Sequence, residues 1–382
     1  MRGLFLLAVA LGQPAMVSAG GIELHAHLFM KEGMSPMFRG DFFGPLKATS
    51  WRDRFSSQAN PETLNASGLQ VAVVSLYSHP VLTLSMRDSV RRQIALARKF
   101  VGENPEWILP RTAKEARDGV AHGKRLLVLS LEGAMGIIET EEDLKEFVDN
   151  SGIRIVTLLH LTDDLFGGVA LLRGILGFAS PIALVRSWFS GTRDVDGVLV
   201  NGAGLTEKGR WMARELIKRH VWLDLSHASD ASQAELVPML RAAGQPLLYT
   251  HTTLRRFLRA ERGITAEQLQ GVRETKGLLG VMPAEDMLLG TNSEGGLTAL
   301  SAQAREIGLV IGADGVAMGS DYNGGVQHLH PSVGTGTSLD QEQGLWQIGQ
   351  SGDVWRGLKL APDPVVARFL AGWEKVDSTR CP

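Results

Sequence analysis

From Gly21 onward, short runs of aliphatic and β-branched residues alternate with longer stretches in which apolar residues recur every three or four positions. The first pattern is that of buried strands, the second that of amphipathic helices. Eight strands are predicted: Ile22–His27, Leu69–Tyr77, Leu126–Glu132, Ile153–His160, Val221–His227, Leu247–His251, Leu278–Met282 and Val316–Asp321. Helical patterns between them include Ser85–Val101, Glu141–Val148, Thr206–Arg219, Ala231–Ala243, Thr265–Lys276 and Leu297–Ile307. The helix after Ser229-Asp230 has a capping residue, a face of Leu236, Val237 and Leu240, and Gly244 as terminator. Repeated βα units without a linker predict one domain over residues 20–382, of class α/β, closed into a (β/α)8 TIM barrel. A doubly wound open sheet is the alternative, but no glycine-rich phosphate loop follows the first strand.

Composition narrows the chemistry. The 382 residues are 44% hydrophobic and 21% charged, with 39 basic and 41 acidic side chains and a net charge of −2. That balance excludes a disordered chain and an electrostatically driven nucleic-acid binder. Glycine, at 44 residues, suits many tight strand-to-helix connections. Ten histidines stand against one cysteine, Cys381, so no intramolecular disulfide forms and a metal site must use nitrogen and oxygen ligands.

The first twenty residues follow a different pattern. Met1-Arg2-Gly3 precedes the apolar run 4–11, and Val17-Ser18-Ala19 places small residues where a signal peptidase cuts. Residues 1–19 therefore read as a signal peptide cleaved after Ala19, which makes the protein exported, periplasmic or extracellular. The alternative is an N-terminal core element of a cytoplasmic protein.

Catalytic groups of a (β/α)8 barrel come from the carboxyl ends of its strands. Those ends here are His25 and His27, Glu132, His160, His227, His251 and Asp321. One histidine at a strand end is usually a satisfied core residue. A buried set of histidines and acids is costly unless paired or metal-bound. Residues two apart on a strand share a face, so His25 and His27 can address one cation.

These residues resemble the membrane (renal) dipeptidases, peptidase family M19 of the amidohydrolase superfamily. The resemblance rests on His25-Ala26-His27, Leu131-Glu132-Gly133, Thr157-Leu158-Leu159-His160, Thr250-His251-Thr252-Thr253 and Gly319-Ser320-Asp321. Most specific is the segment from Gly204-Leu205-Thr206 to Asp224-Leu225-Ser226-His227. The resemblance implies a metal-dependent amidohydrolase barrel with two divalent ions, zinc by preference. His25 and His27 would hold one ion, His227 and His251 the other, and Glu132 would bridge them. It further implies that Asp321 takes the proton of the attacking water, that His160 stabilises the oxyanion, and that Arg262 grips a substrate carboxylate. The implied activity is hydrolysis of a dipeptide or similar small substrate, in a homodimer.

The chain departs from the family in several places. His27 stands where the family has aspartate, leaving the metal pair one unit more positive. Asn323 replaces a frequent second aspartate, and the family's Arg-Asn pair is Arg262-Gly263. The family's Asn-x-x-Arg segment is not recognisable around Pro362–Val376. The loop after the fourth strand is expanded over Gly167–Phe189, with a charge-free stretch from Gly174 to Val185. Lid over an apolar substrate group, oligomer contact and membrane-surface contact all remain open for it. Rival functions are a lactonase or N-acyl amino acid deacylase of the same superfamily, and a catalytically lapsed binding barrel. His79, His328 and His330 are expected on the same barrel face, and Asn65-Ala66-Ser67 is a glycosylation sequon.

Overall fold

A computed structural model describes residues 20–31, 58–80, 83–172, 192–194, 196–288, 296–326 and 347–379, with Val185 and Leu329. Its eight parallel strands are β1 (Gly20–Ala26), β2 (Leu69–Leu76), β3 (Arg125–Glu132), β4 (Ile155–Thr157), β5 (Trp222–Asp224), β6 (Leu248–Thr252), β7 (Leu278–Val281) and β8 (Val316–Met318). Each pairs with the next, and β8 returns to β1 with Met318 opposite Glu23, closing the barrel. The strand Trp107–Ile108 adds to the start of β3. The pair Thr192–Arg193 and Leu199–Val200 is antiparallel and stands apart from the barrel.

Both faces of these strands are buried. In β2, Val71, Ala72, Val73 and Val74 are all almost fully covered, because one face fills the barrel and the other lies under helices. The helices predicted between strands are present, with ends set by their caps. Thr206 accepts from Gly209 N at the head of Glu207–Lys218, and Ser229 caps Asp230–Ala242. Near Glu141 the helix runs Glu141–Asp143 and then widens into a π-turn over Leu144–Asn150.

Further helices cover Pro61–Ala66, Ala113–Ala121, Ser351–Leu358 and Pro362–Asp377. The last packs against β1, against Ala113–Ala121 and against the turn before β8. It places Phe369 on Trp222 at the start of β5 (ring centroids 5.8 Å apart), covering the amino-terminal end of the barrel. Chemistry is thereby left to the opposite end.

Three predicted strands are shorter than expected. Pairing stops at Thr157, Asp224 and Met318, before His160, His227 and Asp321. Leu161, His227 and Asp321 have φ of 55°, 67° and 53°, a left-handed conformation that costs a residue with a Cβ. The chain leaves the ladder there so that these side chains turn inward.

Candidate metal centre

At the carboxyl end of the barrel five strands deliver side chains to one point. Glu132, last residue of β3, is buried, and its carboxylate is the hub. Its Oε1 lies 3.3 Å from His25 Nε2, 3.2 Å from His227 Nε2 and 3.3 Å from His251 Nε2. Its Oε2 lies 3.2 Å from His27 Nε2 and 3.5 Å from His160 Nε2. Gly133 follows with φ 79°, and a Cβ there would sit 3.2 Å from His160 Cβ; glycine lets the turn pass under that ring.

Asp321 completes the group. Its Oδ1 is 3.1 Å from His27 Nε2 and 3.9 Å from His25 Nε2. Backbone bonds from Asp321 N to His25 O and from His27 N to Tyr322 O clamp the end of β1 to the segment after β8. Asp321 and His160 retain some side-chain exposure, 12% each, so they form the accessible side of an otherwise buried cluster.

Burial and charge set the protonation states. Burial, followed by the positive charge of Arg262, holds His227 well below the ordinary imidazole range. His251 is held similarly low by burial and by His25 and Arg262. Burial also lowers His160. Burial alone would raise Glu132, but the surrounding imidazoles overcome it and keep the carboxylate ionised, well below its usual range. At His27 burial is outweighed by hydrogen bonds to Asp321 and Glu132, which lift it to about 10. His160, His227 and His251, held neutral around an anionic carboxylate, are donors of the kind divalent zinc takes, and a cation at the site would displace the proton that His27 otherwise holds between Glu132 and Asp321.

The geometry passes a test of fit for metal. The Nε2 atoms of His227 and His251 are only 2.8 Å apart, close for two lone-pair atoms unless a cation or proton lies between. Buried His25 Nε2 and Glu132 Oε1 have no hydrogen-bond partner, although buried polar atoms are rarely left so. The ligand atoms of His25, His27 and Glu132, and those of Glu132, His160 and His227, lie within 4.8 Å of one another.

Arg262 reaches the same site from the loop after β6. It is buried, and its Nη2 donates to His251 O at 2.7 Å. Among the described residues no carboxylate lies within ion-pair distance of it. Gly263 beside it allows a close crossing: a Cβ would fall 2.6 Å from Arg255 Cα, so the asparagine common in the family cannot be accommodated in this backbone path. Asn323 is explained as well. Its amide donates to His27 O and Ala59 O and its Oδ1 accepts from Gln58 N. An aspartate could not make the two donations.

Several site residues escaped sequence reasoning. Asp224 and Thr250 lie under the histidines, with Thr250 Oγ1 donating to Asp224 Oδ2 at 2.6 Å; the signal was an acid inside the apolar run Trp222-Leu223-Asp224-Leu225. Tyr77 stacks edge-on against His27 and His160, and His79 packs on Tyr77. Glu261 accepts from Leu171 N, Asn201 N and Asp230 N, and burial pushes its carboxyl up to about 7.

Other expectations meet mixed outcomes. The described start of the expanded loop, Gly167 to Leu171, is not a free flap. Ala170 N donates to His227 O, and Val169 bridges to Ala228. Residues 173–184, His328, His330, Cys381 and residues 1–19 lie outside the described residues. No described helix is long and apolar enough to cross a membrane. The sequon asparagine is engaged: Asn65 Nδ2 donates to Asn104 and its Oδ1 accepts from Trp107 Nε1.

Comparison with known proteins supports the resemblance. The model of the membrane dipeptidase family, peptidase family M19, matches residues 182–332. An uncharacterised protein from the PQQ-III 3′ region of Acinetobacter calcoaceticus is 24% identical over 189 residues, 50% of this chain and 52% of that protein. One from the pqqA 5′ region of Klebsiella pneumoniae is 26% identical over 201 residues, 52% of this chain and 65% of that one. This chain thus spans less than two thirds of either relative. Among solved structures, a Rhodobacter sphaeroides metallopeptidase liganded with a phosphinate mimic of L-Ala-D-Ala aligns with TM-score 0.67 and 16% identity, covering 94% of this chain and 99% of that one. The probable dipeptidase PvdM of Pseudomonas aeruginosa aligns with TM-score 0.68 and 14% identity, over 94% and 96% of the two chains.

Proposed function

We propose that this chain, which carries the membrane dipeptidase family pattern over residues 182–332 on a (β/α)8 barrel, is a metal-dependent hydrolase of small amides bearing a free carboxylate, dipeptides first among them. One observation carries the reading: four imidazole Nε2 atoms lie within 3.3 Å of the two oxygens of one buried carboxylate, Glu132.

In this reading His25 and His27 would hold one ion and His227 and His251 the other, with the Glu132 carboxylate available to both. Zinc suits such nitrogen and oxygen donors. When bound, two such ions polarise a carbonyl and supply a hydroxide nucleophile near neutral pH. The chain's own residues do the rest. Asp321, on the accessible side, accepts the proton of the attacking water and passes it to the leaving amine. His160, kept neutral by burial, donates a hydrogen bond to the developing oxyanion. Arg262 pairs with the substrate carboxylate; that no carboxylate among the described residues lies within ion-pair distance of it supports dipeptides over lactones.

The test is metal analysis of the purified protein with a panel of Ala-Ala, Gly-Ala and acyl-homoserine lactones. Two ions per chain and cleavage of the dipeptides are expected. Activity on lactones alone would transfer the site to the lactonase reading, and full activity after chelation would refute both.

A further inference from the structure

We propose that Thr250 is a positioning residue whose single hydroxyl sets the tautomer of one histidine at each of the two ion positions. The inference rests on the metal reading above and goes beyond its ligand set. A threonine hydroxyl has one hydrogen to donate and lone pairs to accept with. Here the hydrogen goes to Asp224 Oδ2, 2.6 Å away. That same oxygen accepts from Thr157 Oγ1 at 2.6 Å, and Oδ1 accepts from Thr250 N at 2.9 Å and Ser226 N at 3.0 Å. Asp224 is thus surrounded by donors, and the Thr250 hydrogen has a fixed destination.

With its hydrogen committed, Thr250 Oγ1 can only accept from the two rings that touch it. His25 Nδ1 is 3.0 Å away and His251 Nδ1 is 2.9 Å away. Each must carry its hydrogen on Nδ1, which leaves a lone pair on each Nε2. Both Nε2 atoms face Glu132 Oε1 at 3.3 Å, where a cation would take them up. The opposite tautomer would oppose three acceptor atoms. Asp224, Thr157, Thr250, His25 and His251 are all buried, so water cannot substitute. A hydrogen bond of this kind to the far ring nitrogen orients a metal-binding histidine and raises its basicity.

The arrangement would serve both ions at once. His25 is assigned to one and His251 to the other, yet they share one oxygen. His27 provides the internal control, because its Nδ1 lies 3.1 Å from the carbonyl of Ser75, independent of Thr250.

The experiment uses the full chain and the isosteric Thr250→Val, with Thr250→Ser as the conservative variant. Imidazole ¹⁵N spectra of histidine-labelled, metal-free protein read the tautomers directly. In wild type and Thr250→Ser the hydrogen of His25 and His251 is expected on Nδ1; in Thr250→Val it moves to Nε2 in both, with His27 unchanged. Competition against a chelator with zinc should show both ions weakened together, by about 10–100-fold, in Thr250→Val, and restored in Thr250→Ser. Unaltered ¹⁵N spectra in Thr250→Val, or loss of affinity at only one ion, would overturn the proposal. Wild type that binds no zinc yet shows the Nδ1–H forms would overturn the metal reading while upholding the hydrogen-bond assignment.

Discussion

Replacing Arg262 by methionine separates a carboxylate-reading enzyme from other hydrolases on this barrel. The guanidinium is buried, donates to His251 O at 2.7 Å, and meets no carboxylate among the described residues. A substrate carboxylate entering the site would become the anionic partner of a charge already removed from water. Removing one member of such a buried pair costs about 3–5 kcal/mol. At about 1.4 kcal/mol per decade, that is a loss of roughly 10²–10³·⁵-fold in kcat/KM. The loss should be confined to substrates with a free carboxylate. The assay compares Ala-Ala with its C-terminal amide in both proteins, alongside metal content, because Arg262 also lowers the proton affinity of His227 and His251. Wild type should prefer the acid by about two to three and a half decades, and the variant should lose the preference while its rate on the amide stays close to wild type. Equal losses on both substrates with metal retained, or a variant that still prefers the acid, would refute this role.

Four further outcomes are expected. On the two-ion reading proposed above, His227→Ala should release one ion and lower turnover by orders of magnitude, read by metal analysis and initial rates; an unchanged metal content would remove His227 from the ligand set. Glu261, at about 7 in the fold against 4.5 unfolded, contributes stability that is fully present below pH 4.5 and lost as pH rises through 7. The deficit of Glu261→Gln relative to wild type should therefore shrink by about 3 kcal/mol between pH 4.5 and 8 in denaturant unfolding of metal-free protein, and a constant deficit would contradict it. Because Val169 and Ala170 are tied to Ala228 and His227, the informative loop deletion is residues 174–185, which should change substrate preference with metal content intact; an unchanged substrate profile would eliminate the lid reading. N-terminal sequencing of protein exported by its native host should begin at Gly20, and recovery of Met1 would end the signal-peptide reading.

Sequence reasoning recovered the barrel because parallel strands are buried on both faces and so read as apolar runs. Trp222-Leu223 and Val71 to Leu76 are examples. It misjudged where those strands stop. Alternation cannot register that His227 and Asp321 turn left-handed, since the groups they meet there, Glu132 for His227 and His27 for Asp321, are distant in the chain. It also missed the helix Pro362–Asp377, whose buried Phe369 and Trp373 meet partners far away in sequence. The centre was legible as strand-end histidines and acids, but what lies beneath them was not. Asp224 and Thr250 matter through hydrogen bonds between neighbouring strands, which single-strand periodicity does not encode. Arg262 was found only through family likeness, because nothing in its local spacing distinguishes it from a solvated surface arginine.

Closure of the barrel has a kinetic consequence. The seam pairs Glu23 with Met318, about 300 positions apart, and contacts of such separation form late because loop entropy must be overcome first. His25 and His27 lie on one side of the seam and Asp321 on the other, so the complete centre exists only after the two ends of the chain have met. A ribosome-bound chain lacking β8 has the histidines but not their final enclosure. On the zinc reading proposed above, high-affinity uptake of the ion should accordingly report the last step of folding, and a zinc-responsive dye followed during refolding should lag behind the appearance of helical structure.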